Sequence, residues 1–415
     1  MNSTHVTRLR RLPGPPTAAA AGRRLSLLHG AELSGDLHTL GYFSAEVCIG
    51  SPAKRFDMII DTGSALAVLP CADCTHCGQH RFSNDSTSRY SEAASTTSQA
   101  VPCGQPPPGI AKCEKCDRNR CGYELEYFEG SKVRGRLVRD LVWFGTAAGR
   151  RAVRAAFGCQ TRESGMIFGQ VADGIVGLSP SAGLTLFDYL RRKAGCPDAF
   201  SMCLGDAVGA MVLGGTLRRA LQGSVAWIPY AAGAQTYQME LVDISFAGRG
   251  IGVPAAEYRD TMVDSGTGFT YVPTEAFGRL AERFRARCPW GACSSRAVQD
   301  RGGFDLCYRA ASEEIERMPP MALHFAGGAT FAIGPRQYTY EDSPGVHCLT
   351  IRDNKGPGVA LGLSVTRHHE VVFDRAHRRL AFLPSDCAAV HAGEQDSALE
   401  GGFSLNGCDA AGGEY

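Results

Sequence analysis

Apolar and polar positions alternate along much of this 415-residue chain, and the alternation predicts a protein built mainly of strands. Tyr42 to Ile49 reads as a strand, Gly50-Ser51-Pro52 as a turn, and the run through Phe56, Met58, Ile59 and Ile60 as a second strand ending on Asp61. Asp61-Thr62-Gly63-Ser64 interrupts that run, and a further apolar stretch, Ala65 to Leu69, stops at Pro70. Short strand-like runs return from Gly122 to Gly158. Two segments have helical spacing instead. Leu184, Phe187 and Leu190 predict a helix closed by Gly195; Phe277, Leu280, Ala281 and Phe284 predict another over 273–288. Residues 71–121 form a polar, cysteine-rich insert. Residues 1–35, rich in Arg, Ala and Pro, predict a flexible leader, and 389–415, rich in Gly, Ala and acids, a disordered tail.

The pattern occurs twice. Met262-Val263 leads into Asp264-Ser265-Gly266-Thr267, an apolar segment follows, and Pro273 stops it. Each half also carries a later apolar-apolar-Gly element, Ile175-Val176-Gly177 and Ala360-Leu361-Gly362. One Asp-Thr-Gly-Ser is an ordinary turn composition, but recurrence in the same order implies an internal duplication. Two carboxylates brought face to face cannot both ionise and share one proton. The ionised member can take a proton from a water while the protonated one hydrogen-bonds a carbonyl. Asp61 and Asp264 are therefore the candidate catalytic pair, for chemistry that needs no metal or other cofactor. Gly63 and Gly266 allow close backbone approach, and Thr62 and Ser265 offer hydroxyls that can cross-link the turns.

Bulk properties narrow the function. A net charge of +1 provides no field for nucleic acid, and no apolar run reaches membrane-spanning length. The first thirty residues lack the apolar core of a signal peptide. The 17 cysteines nevertheless argue for an oxidising compartment. Within the insert, C-x2-C spacings and the trailing His80 suit zinc, whereas cysteines scattered through the rest of the chain suit disulfides. Asn84-Asp85-Ser86 is a sequon, glycosylated if the chain is secreted. His368-His369-Glu370 reads as a solvated turn.

From Gly41 to Cys387 the sequence resembles the pepsin-like aspartic proteases (family A1), most of all the plant, algal and protist branch typified by nepenthesins. The resemblance rests on the pairing of DTGS (61–64) with DSGT (264–267), on "YFEGSKVRGRLVRDLVWFG" (127–145), similar to the family's flap hairpin, and on "ADGIVGLSP" and "LGLSV". It implies a mostly β, bilobal fold of two pseudo-symmetric lobes at 36–207 and 208–388, with the Cys-rich insert in the N-terminal lobe. It further implies an acid-favouring endopeptidase acting on polypeptides as a monomer, in the secretory pathway, outside the cell or in a vacuolar or lysosome-like compartment. A non-proteolytic binding or inhibitor protein of the same fold is the alternative. Ser64 and Thr267 would support the catalytic turns, Tyr127 would lie over the substrate, and Glu129, Gly130 and Ser131 would make a flexible polar tip. Val68 stands where the family commonly has a Trp beside the flap tyrosine, Phe128 replaces a small flap residue, and Val365 a large aromatic or Met. The resemblance favours disulfides over zinc in the insert, and implies the pairs Cys307–Cys348 and Cys159–Cys387. Cys288–Cys293 and Cys196–Cys203 are expected from proximity in sequence.

Overall fold

The computed structural model describes residues 30–144, 152–180, 183–217, 225–286, 293–294 and 306–392. Its backbone repeats one motif twice. In the first half, Lys54–Asp61 runs parallel to Gly174–Gly177, which pairs antiparallel with Val68–Pro70, which in turn runs parallel to Val153–Ser164. In the second, Thr261–Val263 runs parallel to Ala360–Leu361, which pairs antiparallel with Thr270–Val272, which runs parallel to Ile351–Asp353. The apolar-apolar-Gly elements are thus the central strands of two equivalent motifs, each placed beside an aspartate strand. The first aspartate strand is covered on both faces, which explains its largely apolar run; Phe56 to Asp61 are all buried.

A shared sheet joins the halves. The order Arg379–Pro384, His369–Asp374, Ala199–Leu204, Val208–Leu213, Gly30–Asp36, Tyr42–Ile49, Lys54–Asp61 passes without a break from the C-terminal to the N-terminal part of the chain. Two boundaries read from the sequence move as a result. Gly30–Asp36 is a strand paired on both sides, not the end of a flexible leader; its polar Glu32 and Ser34 masked the buried Ala31 and Leu33. The division at 207/208 falls inside the hairpin of Ala199–Leu204 and Val208–Leu213. Residues 389–392, counted with the tail, continue the helix Cys387–Ala392.

Both expected helices form. Leu186–Ala194 is closed at its start by a reciprocal Thr185–Asp188 capping box and at its end by Gly195 in the left-handed region (φ 67°). Thr274–Arg285 buries Ala276, Leu280, Ala281 and Phe284, with Phe277 only partly covered. His368-His369-Glu370 is not a solvated turn. His369 opens the strand His369–Asp374 and both it and Glu370 are buried; Glu370 accepts a hydrogen bond from the Leu217 N–H at 2.8 Å.

The insert is knit by Cys74–Cys77, Cys103–Cys116 and Cys113–Cys121. Cys307 and Cys348 are bridged across neighbouring strands, with Cα atoms 4.0 Å apart. Two expected pairs are replaced. Leu69 lies in register with Cys159, so the chain leaving that strand brings Cys71 to it, and Cys71–Cys159 forms in place of Cys159–Cys387. Cys387 instead bridges to Cys203. With Cys203 bridged to Cys387, the expected Cys196–Cys203 pair does not form. For the Cys288–Cys293 pair, Cys288 lies outside the described residues.

Cys203–Cys387 closes the longest loop among the described bridges, 184 residues. Replacing both cysteines by Ser should lower unfolding stability by about 2–5 kcal/mol, read as a lower denaturant midpoint with an unchanged far-ultraviolet spectrum.

Candidate active site

The two Asp turns meet at the junction of the halves and exchange hydrogen bonds symmetrically. The Thr62 N–H donates to Ser265 Oγ at 3.1 Å, and the Ser265 N–H donates to Thr62 Oγ1 at 3.0 Å. Each hydroxyl then donates across the junction, Thr62 Oγ1 to the Val263 carbonyl at 3.0 Å and Ser265 Oγ to the Ile60 carbonyl at 2.7 Å. All four groups are buried, so each bond replaces an otherwise orphaned polar atom.

Each turn also holds its own carboxyl. The Gly63 N–H donates to Asp61 Oδ1 at 2.8 Å and Ser64 Oγ donates to Asp61 Oδ2. The Gly266 N–H donates to Asp264 Oδ1 at 2.9 Å and Thr267 Oγ1 to Oδ2 at 2.7 Å. The glycines have a second role, across the junction. A Cβ on Gly63 would lie 2.8 Å from Asp264 Cγ, and one on Gly266 would lie 2.7 Å from Asp61 Oδ1. Each glycine therefore makes room for the carboxyl of the opposite half. The Asp61 carboxyl is pushed well above the usual carboxylate range, first by burial and then by the adjacent Asp264 charge.

The pair lies in a cleft of about 1290 Å³ lined by both halves of the chain, including Asp61, Gly63, Ser64, Tyr127, Asp264, Gly266, Thr267 and Tyr271. This exceeds the roughly 300–1,000 Å³ of small-molecule pockets and can accommodate an extended peptide. Arg120–Glu126 and Lys132–Phe144 form a hairpin over one side. Its tip turns at Gly130 (φ 90°), with the Gly130 N–H donating to the Tyr127 carbonyl and the Tyr127 N–H to the Ser131 carbonyl. Glu129 and Gly130 are exposed, as the expected flexible tip requires, but Ser131 is fully buried. Its Oγ accepts a hydrogen bond from the Ile167 N–H at 3.2 Å, so Ser131 anchors the base of the tip. Tyr127 packs against the apolar cluster beneath the hairpin, while Phe128 is 77% exposed at the cleft rim. Burial and then the Asp61 charge push the Tyr127 hydroxyl upward, and Tyr127 lines the cleft together with Asp61.

The insert supplies cleft residues that pattern reading missed. Ile110, Lys112 and Glu114 line the cleft, held there by the two bridges Cys103–Cys116 and Cys113–Cys121. A lone apolar Ile110 in a Pro- and Gly-rich stretch was the only signal. His80, considered as a zinc ligand, is instead in a buried ion pair. Its Nε2 lies 3.1 Å from Glu163 Oε2 and its Nδ1 2.9 Å from the Gln170 carbonyl. Burial opposes charge on this imidazole, but Glu163 overrides it and raises the pKa. Among the described residues no group of three or more His, Cys, Asp or Glu has metal-binding geometry.

Comparison with known proteins agrees with this architecture. Residues 43–215 match the family pattern described as "Xylanase inhibitor N-terminal", and residues 236–384 the one described as "Xylanase inhibitor C-terminal". The chain is 24% identical to aspartic proteinase nepenthesin-2 of Nepenthes gracilis over 365 residues, 84% of this chain and 78% of that protein. It is 27% identical to aspartic protease 5 of Toxoplasma gondii over 378 residues, 86% of this chain but 37% of that longer protein. It is 28% identical to aspartyl protease family protein 1 of Arabidopsis thaliana over 366 residues, 83% of this chain and 67% of that protein. With its duplicated strand motif, its two Asp turns and these matches along both halves, the chain belongs to the pepsin-like aspartic protease family, in the nepenthesin-like branch.

Proposed function

We propose that this chain is an aspartic endopeptidase that hydrolyses peptide bonds in the cleft between its lobes. The observation that carries the reading is the packing of Asp61 and Asp264 against each other's glycines, each carboxyl held by its own turn. The ionised carboxyl takes a proton from a water held between the two as that water attacks the peptide carbonyl. The protonated carboxyl hydrogen-bonds the carbonyl oxygen as charge develops there, then returns a proton to the departing amine. Ser64 and Thr267 keep the outer carboxyl oxygens fixed, and Tyr127 closes over a bound peptide to exclude water. The chemistry requires no metal or cofactor. Polypeptides are the substrates, the enzyme works as a monomer, and its bridged cysteines suit a secreted or vacuolar setting.

A second reading has one specific support: the matched family patterns are named for inhibitors. A pepsin-fold binding protein has no need of a carboxyl in both turns, whereas here both carboxyls are present with all their donors.

Asp61→Asn and Asp264→Asn should each reduce cleavage of denatured globin at acidic pH by several orders of magnitude with the fold unchanged; retained turnover in either variant refutes the mechanism. The binding-protein reading expects no cleavage by the wild type either.

The proton on the pair also has a stability consequence. The Asp61 carboxyl is raised from 3.8, so the native state holds a proton that the unfolded chain has released once pH exceeds about 4. The unfolded state then binds fewer protons, and stability falls as pH rises through that window. Asp61→Asn removes this dependence. The melting temperature of Asp61→Asn relative to wild type should therefore increase from about pH 4 toward neutrality; a pH-independent difference contradicts the shared proton.

A further inference from the structure

Beneath the flap, three side chains carry buried polar atoms without hydrogen-bond partners among the described residues: the hydroxyls of Tyr123 and Tyr127 and both amide atoms of Gln160. Tyr123 and Tyr127 are on the same hairpin, and both pack into the cluster that contains Ile59, Val68 and Ile175. Both also line the cleft with Asp61. Gly135 is the register partner of Tyr123 on one side and of Gln160 on the other, so Tyr123 and Gln160 flank a residue with no side chain. The phenol end of Tyr123 lies over the neighbouring strand, where a Cβ on Gly158 would be 2.5 Å from its hydroxyl oxygen. Gly158 is the register partner of Val68. Gly158 thus leaves room on the sheet face for the Tyr123 phenol.

A hydroxyl or amide buried without a partner costs about 1–3 kcal/mol, so three side chains left so beneath the flap call for bridging water. We propose that the Tyr123 hydroxyl, backed by the Gln160 amide, is linked through ordered water into a hydrogen-bonded chain that positions the Tyr127 hydroxyl over the Asp pair. Tyr123 is then a positioning residue for the reaction under Proposed function, on which this inference rests. Val68, alongside, is aliphatic and offers no polar group. The chain ends at Tyr127 because Glu129 and Gly130 beyond it are exposed.

The test is a double-mutant cycle on Tyr123→Phe and Tyr127→Phe, which remove one oxygen each and keep both rings. Tyr123→Phe should lower kcat for denatured globin about fivefold with KM nearly unchanged, equivalent to one hydrogen bond. In the Tyr127→Phe background it should have no further effect. Gln160→Met should reproduce the loss seen in Tyr123→Phe. A melting-temperature cycle on the same variants reads the link without activity: the double variant should lose less than the sum of the single losses. Independent effects in either cycle overturn the chain. If the wild type cleaves nothing, the protease reading fails, and the thermal cycle alone decides whether the hydroxyls are linked.

Discussion

Two hydroxyls, those of Thr62 and Ser265, hold the halves of this protein in register. Each receives the opposite turn's N–H and donates to the opposite strand's carbonyl. Without that exchange the Asp turns have no reason to stay in contact, because the carboxyls they carry repel when both are ionised. The cross-bonding keeps the pair close, the opposed glycines leave it room, and the adjacent hydroxyls and N–H groups fix the orientation of each carboxyl. The raised pKa of Asp61 follows from that forced proximity in a buried place.

Other contacts brace the same junction. Tyr237 donates its hydroxyl to the Leu178 carbonyl at 2.7 Å, one residue after the central strand of the first motif. Arg375 reaches Asp188 at 2.7 Å, and both side chains are almost fully buried. Asp188 also closes the capping box of its helix, so helix start and interlobe ion pair depend on one carboxylate. Removing one member of a buried pair leaves the other charge uncompensated, typically at 3–5 kcal/mol. The shared sheet does the rest, since its strands run hydrogen-bonded from one chain half into the other with no free edge at the junction.

The flap needs the opposite property at its tip and the same property at its base. Glu129 and Gly130 are exposed, whereas Ser131 is pinned to Ile167. The His80–Glu163 pair fixes the far end of the strand that supports the hairpin, where Glu163 also accepts the Gly78 N–H at 2.9 Å. The cysteine-rich insert thus does more than decorate the lobe. It braces the flap's supporting strand through His80 and forms part of the cleft wall through Ile110 and Lys112.

By itself the sequence determined what is local or repeated. The Asp61 and Asp264 turns, the two apolar-apolar-Gly elements and the helix ending at Gly195 are legible because each is a short pattern with a direct physical cause. Duplication added long-range information, since two copies of one motif imply two copies of one fold. Pairings without such a pattern were decided only by tertiary structure. Cys159 joins Cys71 and Cys387 joins Cys203 because strand register places them together, and spacing along the chain carries no record of register. Gly30–Asp36 became a strand for a similar reason: a partner on each side, Val208–Leu213 and Tyr42–Ile49, overrides weak local propensity. Glu370 and His80 read as surface or ligand residues, yet both are buried, because a charged side chain can be interior once its partner arrives from distant sequence.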